Sequence, residues 1–186
     1  MNVELLSKSR IGRFFLRGLA KAMESRFRYR FWGPVKILEG AGIRPGQTVL
    51  EIGCGTGYFT LPAAKLIGDD GHLVAIDILS ESVELVAIKI REANLKNVEV
   101  AKRDAMNTGL DSQCFDLILL FGVIPAPMIP LDKLLSEIHR LLKADGILAV
   151  WPHLPGWLPK AILKSGLFTF DGRHNGVNKF KRCAFQ

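Results

Sequence analysis

Short apolar runs alternate along this chain with segments in which apolar residues recur at helical spacing. The runs predict five strands, over 48–52, 72–78, 98–102, 115–121 and 147–151. The other segments predict helices over 35–41, 58–67, 80–93 and 131–142. A turn-rich stretch near the C terminus separates two further predicted strands, roughly 168–170 and 179–183. Strands that alternate with helices indicate an α/β fold, a doubly wound and mostly parallel sheet with helices on both faces.

The first 35 residues differ from the rest of the chain in charge and spacing. Residues 3–30 predict an amphipathic helix, with Ile11, Phe15 and Leu19 on one side and basic residues on the other. Residues 1–35 hold eight Lys and Arg but only two Glu, whereas the remainder is close to neutral. We therefore divide the chain into a basic N-terminal helix, residues 1–35, and a globular domain, residues 36–186.

Length and composition limit the class of protein. The chain has 186 residues, 48% hydrophobic and 23% charged, which is the balance of one globular domain. Three cysteines without CxxC spacing argue against a disulfide framework or a structural metal site and favour the reducing cytoplasm. No apolar run reaches the ~20 residues that cross a bilayer, and the first residues lack the pattern of a signal peptide. We expect a cytoplasmic protein without a bound metal.

Three alternate glycines, Gly53, Gly55 and Gly57, lie between the first predicted strand and the helix that follows it. Because glycine lacks a Cβ atom, the backbone there can turn sharply and approach a ligand closely. Ligands of open α/β sheets bind beyond the carboxyl ends of the strands, which is where this loop lies. The spacing differs from the GxGxxG of dinucleotide-binding folds, and no Lys-Ser/Thr pair follows as in a P-loop. A NAD-dependent dehydrogenase is therefore disfavoured.

Two acidic residues follow the second and third predicted strands, at the same edge of the sheet as the glycine loop. Asp77 ends the second strand, and its carboxylate can accept hydrogen bonds from the two hydroxyls of a ribose. Asp104 follows the third strand and can accept from the amino group of an adenine, while Ala105 offers a backbone amide. The pattern predicts a nucleoside-binding site.

These residues together resemble the class I S-adenosylmethionine (SAM)-dependent methyltransferases, in particular the branch of the ubiquinone and menaquinone methyltransferases. The motifs that carry the resemblance are Glu51-x-Gly53-x-Gly55-x-Gly57, Asp77, Arg103-Asp104-Ala105, Phe115-Asp116-Leu117-Ile118 and the segment 141–148. The resemblance is strongest over residues 36–151. It implies a Rossmann-like sheet of seven strands whose last strand is antiparallel. It also implies SAM as the cofactor and S-adenosylhomocysteine as its product.

The resemblance assigns a role to each residue of the cofactor site. The three glycines would pass beneath the methionine and ribose of SAM. Asp77 would hold the ribose hydroxyls, and Ile78 would lie beside the adenine. The edge of the adenine would meet Asp104 and Ala105.

The residues that would act beyond simple cofactor contact are less clearly marked. Glu51 would serve the cofactor or accept hydrogen bonds from loop amides, and Cys54 would be a small residue of the cofactor loop rather than a nucleophile. Phe121 ends the fourth strand, where it would lie near the methionine end of SAM or pack in the core. His153, just past the fifth strand, is the best candidate for a general base, with a plain loop histidine as the alternative. His139 has the spacing of a surface residue on its helix.

The segment after the fourth strand bears on the methyl acceptor. Methyltransferases of nucleic-acid bases or glutamine side chains resemble each other in an Asn/Asp-Pro-Pro-Tyr/Phe signature there, whereas this chain has Phe121-Gly122-Val123-Ile124-Pro125. The apolar stretch favours a small acceptor that is apolar, aromatic or lipid-like. Three roles stay open for residues 1–35: a lid on the site, a peripheral membrane contact, or a contact with nucleic-acid phosphates, the last being disfavoured.

The expected function is methyl transfer from SAM to a small-molecule acceptor, in the cytoplasm or at a membrane surface reached through residues 1–35. The alternative enzyme is an RNA or protein methyltransferase that docks through its basic N-terminal helix. A SAM-binding module without turnover is the non-enzymatic alternative, because an intact pocket says nothing about turnover. The sequence does not indicate an oligomeric state.

Overall fold

The computed structural model describes residues 33–124, 129–152 and 160–184. Its helices are α1 (Pro34–Ala41), α2 (Thr60–Ile67), α3 (Ser80–Glu92), α4 (Leu131–Leu141) and α5 (Lys160–Lys164). Its strands are β1 (Thr48–Ile52), β2 (His72–Asp77), β3 (Val98–Lys102), β4 (Phe115–Phe121), β5 (Leu142–Trp151), β6 (Phe168–His174) and β7 (Val177–Arg182). The predicted helix over 3–30 lies outside the described residues.

The seven strands form one sheet in the order β3-β2-β1-β4-β5-β7-β6. The pairs among β1 to β5 are parallel, whereas β7 runs antiparallel to both of its neighbours, β5 and β6. The chain order reverses between β1 and β4, so the carboxyl ends of these strands flank a crevice at the edge of the sheet. The predicted Rossmann-like architecture, with its antiparallel last strand, is confirmed.

Helices cover both faces of the sheet. Nearly every residue of the central strands is therefore buried. Alternate residues such as Leu50 and Ile52 of β1 point to the face covered by α4 and α5. Val49 points to the opposite face, which α1 and α2 cover. This burial on both faces explains why the strands are almost continuously apolar. No helix in the described part of the chain is long and apolar enough to span a membrane.

Several predicted boundaries differ from the structure. α2 begins at Thr60 rather than at residue 58, because the glycine loop closes a turn in which the amide of Gly57 donates to Cys54 O. β5 begins at Leu142 instead of 147, since Leu142 already pairs with Phe115 before a register shift. The final turn contains only Asn175 and Gly176, both with positive φ as in a tight two-residue hairpin, so β6 and β7 are longer than predicted. Helix α5 was not predicted.

The predicted surface position of His139 is wrong. Its side chain on α4 is 1% exposed, and its Nε2 lies 2.8 Å from the carbonyl oxygen of Cys183. The ring also packs edge-on against Phe168, with ring centroids 5.7 Å apart. His139 therefore joins α4 to the end of the chain, which covers a face of the helix that the periodicity assigns to solvent.

Candidate functional site

The glycine loop after β1 wraps closely around the end of β2. Gly53, Gly55 and Gly57 have φ values of 78°, 53° and 83°, a region that favours glycine. The amides of Gly53 and Cys54 both donate to Ile76 O, at 2.8 and 3.1 Å. The loop therefore leaves β1 by turning over the neighbouring strand, as the sequence pattern predicts.

Asp77, the last residue of β2, is hydrogen-bonded to this loop. Its Oδ2 accepts from the amide of Gly55 and its Oδ1 from the amide of Leu79, each at 2.9 Å. Burial raises the pKa of Asp77, and the hydrogen bonds from these amides counteract the rise. Each carboxylate oxygen can accept a further bond, so the group can hold the loop and two ligand hydroxyls together.

Glu51 lies beneath the glycine loop, and its side chain is turned away from solvent. It is 2% exposed, and its Oε2 accepts a 2.5 Å hydrogen bond from Thr60 Oγ1 at the start of α2. Burial raises the pKa of Glu51 to about 8, and the nearby charge of Asp77 raises it further while the Thr60 hydroxyl lowers it. In the described structure the Glu51 carboxyl thus accepts from the Thr60 hydroxyl and not from the amides of the glycine loop.

Cys54 is also buried, at 4% exposure, among Ala75, Val86 and Ile90. Burial raises the pKa of its thiol well above the usual range, and the charges of Glu51 and Asp77 add to that rise. A neutral, enclosed thiol is a poor nucleophile. The burial of Cys54 therefore argues against a nucleophilic role, and its place in a cofactor loop stays a prediction.

A cleft lies beside the loop, over the carboxyl ends of β1, β2 and β3. Its empty volume is about 550 Å³, which includes the open solvent at its mouth. Five predicted site residues line it together: Gly53, Asp77, Ile78, Asp104 and Ala105. The apolar side chains of Ile52, Ile76, Met106, Val123, Ile129 and Leu134 supply much of the remaining wall, together with Arg103.

The loop after β3 forms the far wall of the cleft. Asp104 Oδ1 accepts from the amide of Met106 at 2.9 Å, and Arg103 Nη1 donates to Thr108 O at 2.7 Å. Glu137 on α4 accepts from both the amide and the hydroxyl of Thr108, at 3.0 and 2.6 Å. The loop that carries Asp104 is therefore held to the helix beside it.

One predicted site residue, Phe121, lies away from the cleft. Phe121 is buried and packs edge-on against Phe59, with centroids 4.9 Å apart, in the cluster on the α1 and α2 face. The cleft opens on the other face, where Ile52 lies, so Phe121 belongs to the core and its contact with a ligand stays a prediction. His153 and Pro125 lie outside the described residues.

Most of the apolar wall of the cleft was not predicted from the sequence, although Val123 belongs to the apolar stretch noted after the fourth strand. Met106 lies two residues beyond Asp104, and Val123 two beyond Phe121. Their closeness in sequence to the identified motifs could have indicated that both line the cleft. Ile129 and Leu134 come from the entry to α4 and carry no motif. Their proximity to the glycine loop arises from the order of the strands, which places β4 beside β1.

Comparisons with known proteins agree with this geometry. A family model described as a methyltransferase domain matches residues 43–168. A demethylmenaquinone methyltransferase of Lactobacillus johnsonii is 34% identical over 113 residues, which is 60% of this chain and 46% of that protein. The chain spans about half the length of the curated relatives it matches.

Solved structures show the same fold. A SAM-dependent methyltransferase from Aquifex aeolicus superposes with a TM-score of 0.70 and 24% identity, over 88% of this chain and 95% of that one. Coclaurine N-methyltransferase, bound to N-methylheliamine and S-adenosylhomocysteine, is 30% identical with a TM-score of 0.55, over 61% of this chain and 32% of that one. With its family match over residues 43–168, its sheet order and its glycine loop, the chain belongs to the class I SAM-dependent methyltransferases.

Proposed function

We propose that this chain binds SAM in the cleft over β1, β2 and β3 and methylates a small aromatic acceptor of the quinol type. The observation that carries the proposal is the carboxylate of Asp77, which holds the amide of Gly55 and lines the cleft at the same time. The acceptor class is supported by the apolar walls of the cleft and by curated relatives that are demethylmenaquinone methyltransferases. Those relatives offer no support for an RNA or protein substrate.

The residues of the cleft fit the cofactor part by part. Asp77 would accept from the ribose hydroxyls, and Ile78 would lie against the adenine ring. Asp104 keeps Oδ2 for the exocyclic amino group while its Oδ1 holds the amide of Met106. The backbone of the glycine loop would lie under the remainder of the molecule, because no Cβ projects from Gly53 or Gly55.

When bound, SAM supplies an activated methyl carbon that an electron-rich acceptor atom attacks in line. The protein contributes position and exclusion of water. The side chains of Ile52, Ile76 and Val123 form a dry wall, and Asp77 fixes the ribose to the rigid end of β2. Where the acceptor must lose a proton, His153 is the candidate to receive it.

We further propose that residues 1–35 act at the edge of the sheet that holds the cleft, as a lid or as a contact with a membrane surface. The carbonyl oxygen of Lys36 accepts from Asn175 Nδ2 at 2.8 Å, in the hairpin turn beside the end of β5. The described chain therefore begins near that edge. A basic segment that meets anionic lipid would serve an apolar acceptor dissolved in a membrane.

Calorimetric titration of the full chain tests the cofactor assignment. We expect micromolar binding of SAM, no binding of NADH, and about 100-fold weaker SAM binding by Asp77→Ala, because two charge-assisted hydrogen bonds are lost. Asp171→Ala is the matched control, since Asp171 pairs with Lys181 at 2.7 Å in the final hairpin. Equal SAM binding by wild type and Asp77→Ala would refute the assignment.

The acceptor is tested separately, with radiolabelled SAM and a reduced naphthoquinone that carries a short prenyl chain. Transfer of the labelled methyl group to the naphthoquinol supports the proposal. SAM binding without transfer to any quinol would refute the proposed acceptor class but not the proposed cofactor site.

Sedimentation with vesicles that contain anionic lipid, at low and high salt, tests the proposed membrane contact of residues 1–35.

A further inference from the structure

Asn178, the second residue of β7, carries a side-chain amide that is buried in the fold. Its side chain is 1% exposed. Within the described residues, neither its Nδ2 nor its Oδ1 has a hydrogen-bond partner. Buried polar groups are nearly always paired, because an unpaired one loses its hydration and gains nothing in return. A side chain that keeps both a donor and an acceptor unpaired therefore calls for an explanation.

Another buried amide in the same domain shows the contrast. Asn97, just before β3, is 8% exposed, and its Nδ2 donates to the carbonyl oxygens of Ala64 and Gly68, both at 2.8 Å. That amide fastens the end of α2 to the start of β3. The Asn178 amide makes no such link to another described residue, and Val177 and Phe180 of the same strand are fully buried apolar residues. An apolar side chain at position 178 would serve the fold better than an amide.

The strand register places Asn178 in line with the cofactor cleft. The sheet pairs Ile76 with Ile52, Ile52 with Leu120, Leu120 with Val150 and Val150 with Asn178. Paired residues point to the same face, so these five side chains form one row across the sheet. Ile52 and Ile76 line the cleft at one end of the row, and Asn178 lies at the other end.

Asn178 lies at the same edge of the sheet as the cleft, several strands away. Three strand spacings separate Ile52 from Asn178, a distance of about 14 Å. Asn178 lies beside Val150, one residue before the end of β5, and so close to the edge where ligands of such sheets bind. Because Leu120 and Val150 of the row are fully buried, an acceptor whose reacting atom meets the cofactor near β1 and β4 would reach Asn178 over the carboxyl ends of β4 and β5.

We propose that Asn178 binds a ring hydroxyl of the aromatic acceptor and so sets its orientation. A carboxamide offers one N–H group that donates to the hydroxyl oxygen and one oxygen that accepts the hydroxyl proton, which matches a phenol or quinol. The acceptor hydroxyl would then form the hydrogen bonds that the amide lacks in the described structure. The inference rests on the proposed function, and it names a specificity-determining residue for the acceptor.

Side-chain amide resonances provide the direct test. The ¹⁵N-labelled full chain, saturated with S-adenosylhomocysteine, is titrated with 1,4-dihydroxynaphthalene under reducing conditions. The variants Asn178→Leu and Asn97→Leu assign the two amide pairs by their disappearance. We expect the Asn178 amide signals to move on titration and the Asn97 signals to stay. A titration in which the Asn178 signals do not move while the probe binds overturns the inference, and this readout needs only the wild type.

Affinity and stability separate a ligand contact from a structural role. Asn178→Leu should weaken binding of the dihydroxynaphthalene about tenfold, leave SAM binding unchanged and raise Tm, because an unpaired buried amide is removed. Asn97→Leu should lower Tm and leave the affinity for the probe unchanged. An Asn178→Leu variant that binds the dihydroxynaphthalene as tightly as wild type overturns the inference. A wild-type protein that binds SAM but not the dihydroxynaphthalene overturns it as well. A chain that binds no SAM refutes the proposed function, and the inference with it.

Discussion

Replacement of Glu51 by glutamine tests the electrostatics beneath the glycine loop. Glu51 is enclosed between β1 and α2, and its carboxyl accepts a single recorded hydrogen bond, from the hydroxyl of Thr60. Burial raises its pKa from 4.5 to about 8. Glutamine keeps the size of the side chain and an oxygen that can accept from Thr60, but it carries no charge at any pH. The variant therefore removes only the ionisation.

The sign of the effect follows from the raised pKa. Between pH 4.5 and 8 the folded protein holds a proton on Glu51 that the unfolded chain has released, so stability falls as the pH rises. Each pH unit in this interval is worth about 1.4 kcal/mol. At pH 7 the wild type therefore loses about 3 kcal/mol relative to Glu51→Gln, and near pH 4 the two proteins should be equally stable.

Urea unfolding at several pH values between 4 and 8 measures this difference. The control is Glu99→Gln, since Glu99 lies exposed on β3 and its replacement should leave the pH profile of the wild type unchanged. The expected result is a free energy of unfolding that declines with pH in wild type and Glu99→Gln but declines less in Glu51→Gln. Parallel profiles for wild type and Glu51→Gln would refute the reasoning, because they would mean that Glu51 is charged in the folded state.

Two further predictions concern the loops that border the cleft. Gly57→Ala should destabilise the protein by about 2 to 3 kcal/mol in urea unfolding, because φ is 83° and a Cβ would lie 3.2 Å from Leu61. Gly55→Ala, whose Cβ would meet open space, should lose only about 1 kcal/mol, and equal losses would contradict the steric argument. Glu137→Gln should be less stable than wild type at pH 7 but not at pH 2, because the hydrogen bond from Arg140 lowers the pKa of Glu137 to about 2 and its contribution disappears as the pH falls from 4.5. A stability gap that persists at pH 2 would show that packing, and not charge, holds the loop.

The central strands were predictable because each is buried on both faces and reads as an apolar run. The run Phe115–Phe121 is the clearest case, since it lies in the middle of the sheet between β1 and β5. The glycine loop and Asp77 were predictable for a related reason. Both stand at the carboxyl end of a strand, where sequence position alone determines which edge of the sheet a residue occupies.

The polar partners inside the domain were not predictable from spacing. Thr60 reaches Glu51 because the loop folds back on itself, and His139 reaches Cys183, 44 residues along the chain, because β7 returns beside β5. Helical periodicity assigns His139 to solvent because the pattern describes one helix alone and carries no information about the hairpin that covers it. The burial of Asn178 could not be predicted for the same reason, because it depends on the pairing of Asn178 with Val150 in another strand.

The two carboxyl groups beneath the glycine loop divide the tasks of structure and binding between them. Glu51 receives no backbone amide in the described structure, and burial leaves it protonated at neutral pH. Asp77 receives two, from Gly55 and Leu79, and these favour its charged form. Because Glu51 is neutral at pH 7, no like charge from it lies beside Asp77. Glutamine is neutral as well, so Glu51→Gln should leave SAM affinity at pH 7 unchanged.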